Sequence, residues 1–198
     1  MTKLFVHAKV LIDGISDTPK FDQLISIEDD KIKAIEDYHE IQENVIEVNT
    51  ITPGFFNCHV HVLYPVGFDS KKEFSLIEKI FYAQKHCKEY LQSGVTFIRV
   101  VGTEENYDLQ IKEAIQNDVI QGTHMYCAGK VICMTGGHGW QEGIEADGKG
   151  ACLKAVRTQL KSGVDLIKMM ATGGVMTKGV EPGNAQFDIG MCAIIRKK

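Results

Sequence analysis

The chain has 198 residues, 44% hydrophobic and 24% charged, a composition that suits a globular protein with one sizeable core and a small appendage. A formal net charge of -4 with no long basic run beyond the short Arg196-Lys197-Lys198 tail argues against a nucleic-acid partner. No run approaches the ~20 apolar residues of a membrane helix, the N-terminus lacks a charged region followed by an apolar core, and the six cysteines form no C-x-x-C pair, so a cytoplasmic protein with reduced thiols and no membrane contact is expected.

Residues 3–12 predict a strand, followed by strands at 24–28 and 31–35 around an Asp29-Asp30 turn and a fourth at 45–48. Strands that succeed one another without helices pair antiparallel, so residues 1–50 predict part of a small β-sandwich module, with His7 a structural residue inside it. Thr52 to His61 then predicts a strand started by Pro53-Gly54. Alternation puts His59 and His61 on one face with Asn57 below them, a two-imidazole claw able to reach one zinc-like ion. With seven histidines in the chain an H-x-H arises by chance about a quarter of the time, so the triplet weighs little without its setting.

After the claw, helix and strand alternate: a helix over 70–92 ended by Ser93-Gly94, a strand over 95–101, a helix over 108–120 and a strand over 124–128. A glycine-rich loop of about twenty residues follows, from Thr135-Gly136-Gly137-His138-Gly139 to Gly148; loops of that length are functional or disordered. A helix over 151–161 and a strand over 166–170 complete the pattern. Repeated βα units predict parallel strands with ligand groups at their C-terminal ends, where His59, His61, Arg99, the His138 loop and Lys168 fall. Four such strands are found, whereas a closed barrel has eight.

Pro53-Gly54-Phe55-Phe56-Asn57-Cys58-His59-Val60-His61 resembles the first barrel strand of the amidohydrolase superfamily, P-G-F-I-D-x-H-x-H, with Asn57 in place of the usual Asp. Leu91 to Gly102, Ala128 to Gly139, and Gly163-Val164-Asp165-Leu166-Ile167-Lys168 through Met176 are similar to its imidazolonepropionase-like and Xaa-Pro or Xaa-Arg dipeptidase branch, with Val100 where that branch often has Asp. The resemblance implies an α/β fold: about four βα units of a TIM-type (β/α) barrel over residues 51–198, the N-terminal half only, preceded by a small antiparallel β module. It implies His59, His61 and Lys168 as metal ligands, zinc as the divalent metal, one or two ions, and carbon dioxide held as a carbamate on Lys168. The carbamate turns an ammonium that repels cations into an anionic oxygen ligand.

Two roles stay open within the resemblance. His138 anchors a substrate carboxylate, stacks in a lid, or is solvated; Arg99 pairs with a substrate anion or with a carboxylate of the scaffold. Thr172-Gly173-Gly174 lacks a G-K-[ST] ending and predicts close backbone approach rather than a phosphate cradle. The further histidines and the aspartate general base that the resemblance implies have no counterpart in this chain, so no catalytic residue is assigned. The expectation is a metal-dependent hydrolase of an amide-type C–N bond in a dipeptide or cyclic amide, present as a truncated, inactive and self-associating or homo-oligomeric form. The competing expectation is a non-catalytic remnant or interaction fragment; a metal-storage protein is disfavoured because just two obvious ligands are contiguous.

Overall fold

The computed structural model describes residues 3–39, 44–67, 72–175 and 177–196. Ser70, the predicted start of the first helix, Met176 of the last motif and Lys197-Lys198 of the basic tail lie outside these residues. The chain divides into two compact units, Met1–Gly54 and Phe55–Lys198.

The first unit is one four-stranded sheet of β1 (Lys3–Leu11), β2 (Lys20–Glu28), β3 (Lys31–Asp37) and β4 (Val45–Ile51), ordered β3-β2-β1-β4. β1–β2 and β2–β3 are antiparallel hairpin pairs, the second turning through Asp29 and Asp30, both left-handed. The expectation of antiparallel pairing throughout fails at β4, which runs parallel to β1 from Phe5↔Val45 to Leu11↔Ile51. β4 does not pair with its sequence neighbour β3; it lies on the far side of β1, which reverses its sense relative to a hairpin. Ala8, Leu11 and Ile25 form the core of this unit. His7 is buried, stacked on Tyr38 with ring centroids 3.8 Å apart and its Nε2 3.3 Å from Asp22 Oδ1.

The second unit is of mixed α/β type. Its central sheet is parallel, β5 (Phe55–Val60), β6 (Val95–Val100) and β7 (His124–Cys127) in that order. α1 (Leu76–Gln92) starts at a capping box in which Ser75 and Glu78 each satisfy the other's backbone N–H, which explains why the helix begins there. The face α1 turns inward is Ala83, Cys87 and Tyr90, while Ile77 and Phe81 are exposed; small residues let the helix lie close to the sheet. Ile111 of α2 (Tyr107–Gln116) joins Val60, Ile98, Val100, Met125 and Cys127 in the core between helices and strands. Burying each of these large aliphatic side chains is worth about 1.5–3 kcal/mol.

Beyond β7 the regular sheet stops. The glycine-rich region contains two short parallel strands, β8 (Ile132–Cys133) and β9 (Ile144–Glu145), and is followed by α3 (Gly148–Lys161). Residues 166–170, expected to be a strand, form a single parallel bridge, Ile132↔Met169: Ile132 N–H donates to Lys168 O and Met170 N–H to Ile132 O, both at 2.9 Å. β8 is two residues long and already pairs with β9, so it offers the segment no longer ladder. α4 (Ile189–Arg196) packs on α3 beside Phe187 and Cys152. All six cysteines are free thiols, and among the described residues no helix is long and apolar enough to cross a membrane.

A buried polar clamp joins the loops at the C-terminal ends of β6 and β7. Asp108 is fully buried: its Oδ1 accepts from the Thr103 hydroxyl at 2.9 Å and from Leu109 N–H at 3.0 Å, and its Oδ2 accepts from Gly129 N–H at 2.9 Å. Thr103 N–H donates back to Gly129 O at 2.8 Å. Gly129 has φ +63°, and a Cβ there would run into the side chains of Gln159 and Asn106, so glycine is required.

Candidate functional site

His59 is the second-last residue of β5 and His61 follows its end. The ladder places Asn57 opposite Ile98 and Val60 opposite Val100, so three residues of β5 span two of β6. This bulge lies between Asn57 and Val60, at the point where the two histidines are presented. Asn57 acts on the backbone: its Oδ1 accepts the His59 N–H at 3.2 Å, holding the turn of chain that presents the ring. The two imidazoles lie 5.5 Å apart, centroid to centroid, inclined at 62°.

Arg99 and Lys168 join the pair electrostatically. Burial holds the His59 imidazole below the ordinary histidine pKa, and the positive charges of Lys168 and Arg99 lower it further. His61 is lowered by burial, by His59 and by Lys168, while the Gly102 carbonyl pulls in the opposite direction. A carbonyl that accepts from one imidazole nitrogen leaves the other as a lone-pair donor, the usual support of a metal-binding histidine. Gly102 can bring its carbonyl there because its φ is +137° and a Cβ would meet Val131. Lys168 is shifted down by burial first and by Arg99 second. Arg99 is anchored by its Nε, which donates to Cys58 O at 2.7 Å, and its remaining N–H groups have no hydrogen-bond partner among the described residues.

His138 packs on the segment that follows Lys168. Its ring fills the space where a Cβ on Gly174 would stand, and its backbone N–H donates to Gln186 Oε1 at 3.1 Å. It makes no hydrogen bond or ring contact with His59, His61, Arg99 or Lys168 among the described residues. Thr172-Gly173-Gly174 is a place of close approach: Gly173 bridges to Pro182, and a Cβ on it would strike the Glu181 backbone. The two histidines thus lie side by side, with Lys168 near enough to lower both pKa values and Arg99 near enough to lower that of His59, while the contacts of His138 are with Gly174 and Gln186.

The donor set fits a divalent cation in part. Two imidazoles kept neutral at pH 7 are competent ligands, and a lysine pushed toward its neutral amine is the form that can accept a carboxyl group. No cluster of three or more His, Cys, Asp or Glu suited to a metal exists among the described residues, so this part of the chain supplies two imidazoles and an amine rather than a closed four-ligand site. Two residues at this end of the sheet escaped notice in the sequence. Asp108 is one, hidden in an amphipathic helix pattern. The other is Tyr64, whose hydroxyl donates to Glu142 Oε1 at 2.7 Å across 78 residues.

A model of the amidohydrolase family matches residues 50–195. An ochratoxinase of Aspergillus niger is 27% identical over 179 residues, covering 76% of this chain and 37% of its own length. Among solved structures, a Xaa-Pro dipeptidase with methionine bound in its active site is similar at a TM-score of 0.87 and 27% identity, covering 98% of this chain and 53% of that one. The structure of A. niger ochratoxinase shares the fold at a TM-score of 0.81 and 24% identity, again over 98% of this chain and 52% of that one. The chain thus spans about half the length of these solved relatives.

Proposed function

We propose, on the premise that this chain belongs to the amidohydrolase family, that it carries the first half of a metal-dependent site for hydrolysing an amide-type C–N bond in a dipeptide or cyclic amide. The observation that carries this reading is the His59–His61 pair at the end of β5, rings 5.5 Å apart, with Lys168 near enough to lower both imidazole pKa values and Arg99 near enough to lower those of His59 and Lys168. In this reading Phe55–Lys198 is the first part of a (β/α) barrel, β5, β6 and β7 being its first three strands and residues 166–170 the fourth. The last of these becomes a full strand when a further strand pairs with it.

His59 and His61 would hold a divalent ion, zinc being the first expectation, with Lys168 joining them once carboxylated by carbon dioxide. A bound ion of this kind polarises a carbonyl and lowers the pKa of water. The chain's own residues prepare for it. Partial desolvation and neighbouring charge lower both imidazole pKa values although the residues are exposed, Asn57 fixes the His59 backbone N–H, and the Gly102 carbonyl pulls the His61 pKa the other way. Depression of the Lys168 pKa raises the share of neutral amine, the nucleophile that attacks carbon dioxide and then loses a proton to give the carbamate. Arg99, fixed at Nε, offers its outer N–H groups to a substrate anion, and His138 offers a second polar contact from its own wall.

No general base is assigned among these residues, so turnover requires groups from beyond them. The non-catalytic reading, an interaction fragment, is favoured by the lack of a closed ligand cluster among the described residues. A cytoplasmic location and a tendency to self-associate belong to the same proposal. The test is hydrolysis of a dipeptide panel by the chain with zinc and bicarbonate, alongside a longer form bearing further histidines and an aspartate. Activity in the longer form that disappears in Lys168→Ala and partly returns with added short carboxylates supports the reading. Wild-type turnover in Lys168→Ala removes the bridging role.

A further inference from the structure

The loop 134–143 is compact and tied down on two sides. On one side Gly139 N–H donates to Thr177 Oγ1 at 3.1 Å, His138 N–H donates to Gln186 Oε1 at 3.1 Å, and Gly139 faces the Met170 methyl two residues past Lys168. The His138 ring lies on Gly174, further along the same segment. On the other side the Tyr64 hydroxyl, three residues past His61, donates to Glu142 Oε1 at 2.7 Å. Inside the loop, Gly137 N–H donates to Met134 O, Trp140 N–H to Gly137 O and Glu142 N–H to Gly139 O at 2.9–3.2 Å, so the loop moves as one piece. The stretch after the histidine pair and the stretch after Lys168 are therefore joined through this loop.

We propose that the Tyr64–Glu142 hydrogen bond is a latch that holds loop 134–143 as a strap between these two stretches, making Tyr64 a positioning residue that sets the wall carrying His138 and Trp140. The surroundings of Tyr64 fit the role. Its ring packs edge-on to Phe74 at 5.9 Å, and the Lys79 ammonium, paired with Glu104, sits 5.3 Å above it, so the phenol is held from three elements. Burial and the neighbouring carboxylates Glu142 and Glu104 push its ionisation up, which keeps the hydroxyl a donor at every physiological pH. Glu142, by contrast, is exposed on the loop, so replacing its side chain removes the charge-assisted hydrogen bond with little loss of packing. The inference stands on contacts alone and does not depend on the hydrolase reading.

Trp140, the single tryptophan of the chain, reports on the loop directly. In metal-free protein, Tyr64→Phe and Glu142→Ala are each expected to speed amide exchange across 134–143 roughly tenfold, with exchange in β5–β7 unchanged. Both should raise acrylamide quenching of Trp140 and diethyl pyrocarbonate modification of His138. Glu142→Gln keeps an acceptor oxygen but loses the charge, so its effect should fall between wild type and Glu142→Ala, and the double variant Tyr64→Phe/Glu142→Ala should not exceed either single one. Because Glu142 is exposed, Glu142→Ala retains the fold; unchanged loop exchange in that variant overturns the latch. A Glu142→Gln effect as large as that of Glu142→Ala overturns it as well, since an acceptor oxygen at that position would then hold nothing.

Discussion

At the residue scale the histidine pair is set apart from the other histidines by its surroundings. His59 and His61 face each other and two cations, whereas His7 is stacked on Tyr38 between Asp22 and Glu47 in the other unit. His59→Ala is expected to remove most divalent-metal binding and His7→Ala to leave it unchanged, measured as metal content after dialysis; equal losses would refute the assignment. The lowered pKa values of this pair make the fold pH-sensitive. Because both imidazoles have depressed pKa values in the fold, the unfolded chain binds more protons as pH falls through the ordinary histidine value of 6.5, and stability falls with it. With metal chelated, the urea midpoint should therefore drop between about pH 7 and pH 5, and more gently in His59→Ala/His61→Ala.

At the element scale the clamp around Asp108 decides how the ends of β6 and β7 are presented. Burial raises the pKa of its carboxyl group, and the N–H groups of Gly129 and Leu109 and the Thr103 hydroxyl pull in the opposite direction. Asp108→Ala leaves those donors buried without an acceptor and should cost about 3 kcal/mol or more in a urea titration. The loss would be concentrated in the second unit, and the first-unit sheet should keep its amide protection. A neutral result would mean that water replaces the carboxylate, and the clamp would then have no stabilising role.

At the scale of the whole molecule, the side of the central sheet away from α1 and α2 is apolar and open. Phe56 packs edge-on to Phe97 and Phe97 to Tyr126, yet Phe56 and Tyr126 are 69% and 52% exposed. Parallel sheets are stable when both faces are covered, so this ladder of rings is expected to drive association. Light scattering on the eluting protein should show dimers or larger species, and Phe56→Glu/Tyr126→Glu should shift them toward monomer. A monodisperse wild-type monomer would mean that the open face is tolerated in water.

What the sequence determined by itself was local. Alternation and helical spacing placed β5, β6, β7 and α1–α3, because those patterns record which face of a short element meets apolar neighbours. The spacing of His59, His61 and Arg99 relative to strand ends likewise followed from single elements and their stops. Four features needed the tertiary structure: β4 parallel to β1, the bulge between Asn57 and Val60, the reduction of 166–170 to one bridge, and the Tyr64–Glu142 contact. Each depends on which distant backbone edge or side chain is available, and pairing between segments tens of residues apart leaves no periodic trace in either one. For the same reason a buried carboxylate such as Asp108 reads in sequence like any acidic residue in the first turn of a helix, and only its two donors from other segments, Thr103 and Gly129, show what it holds together.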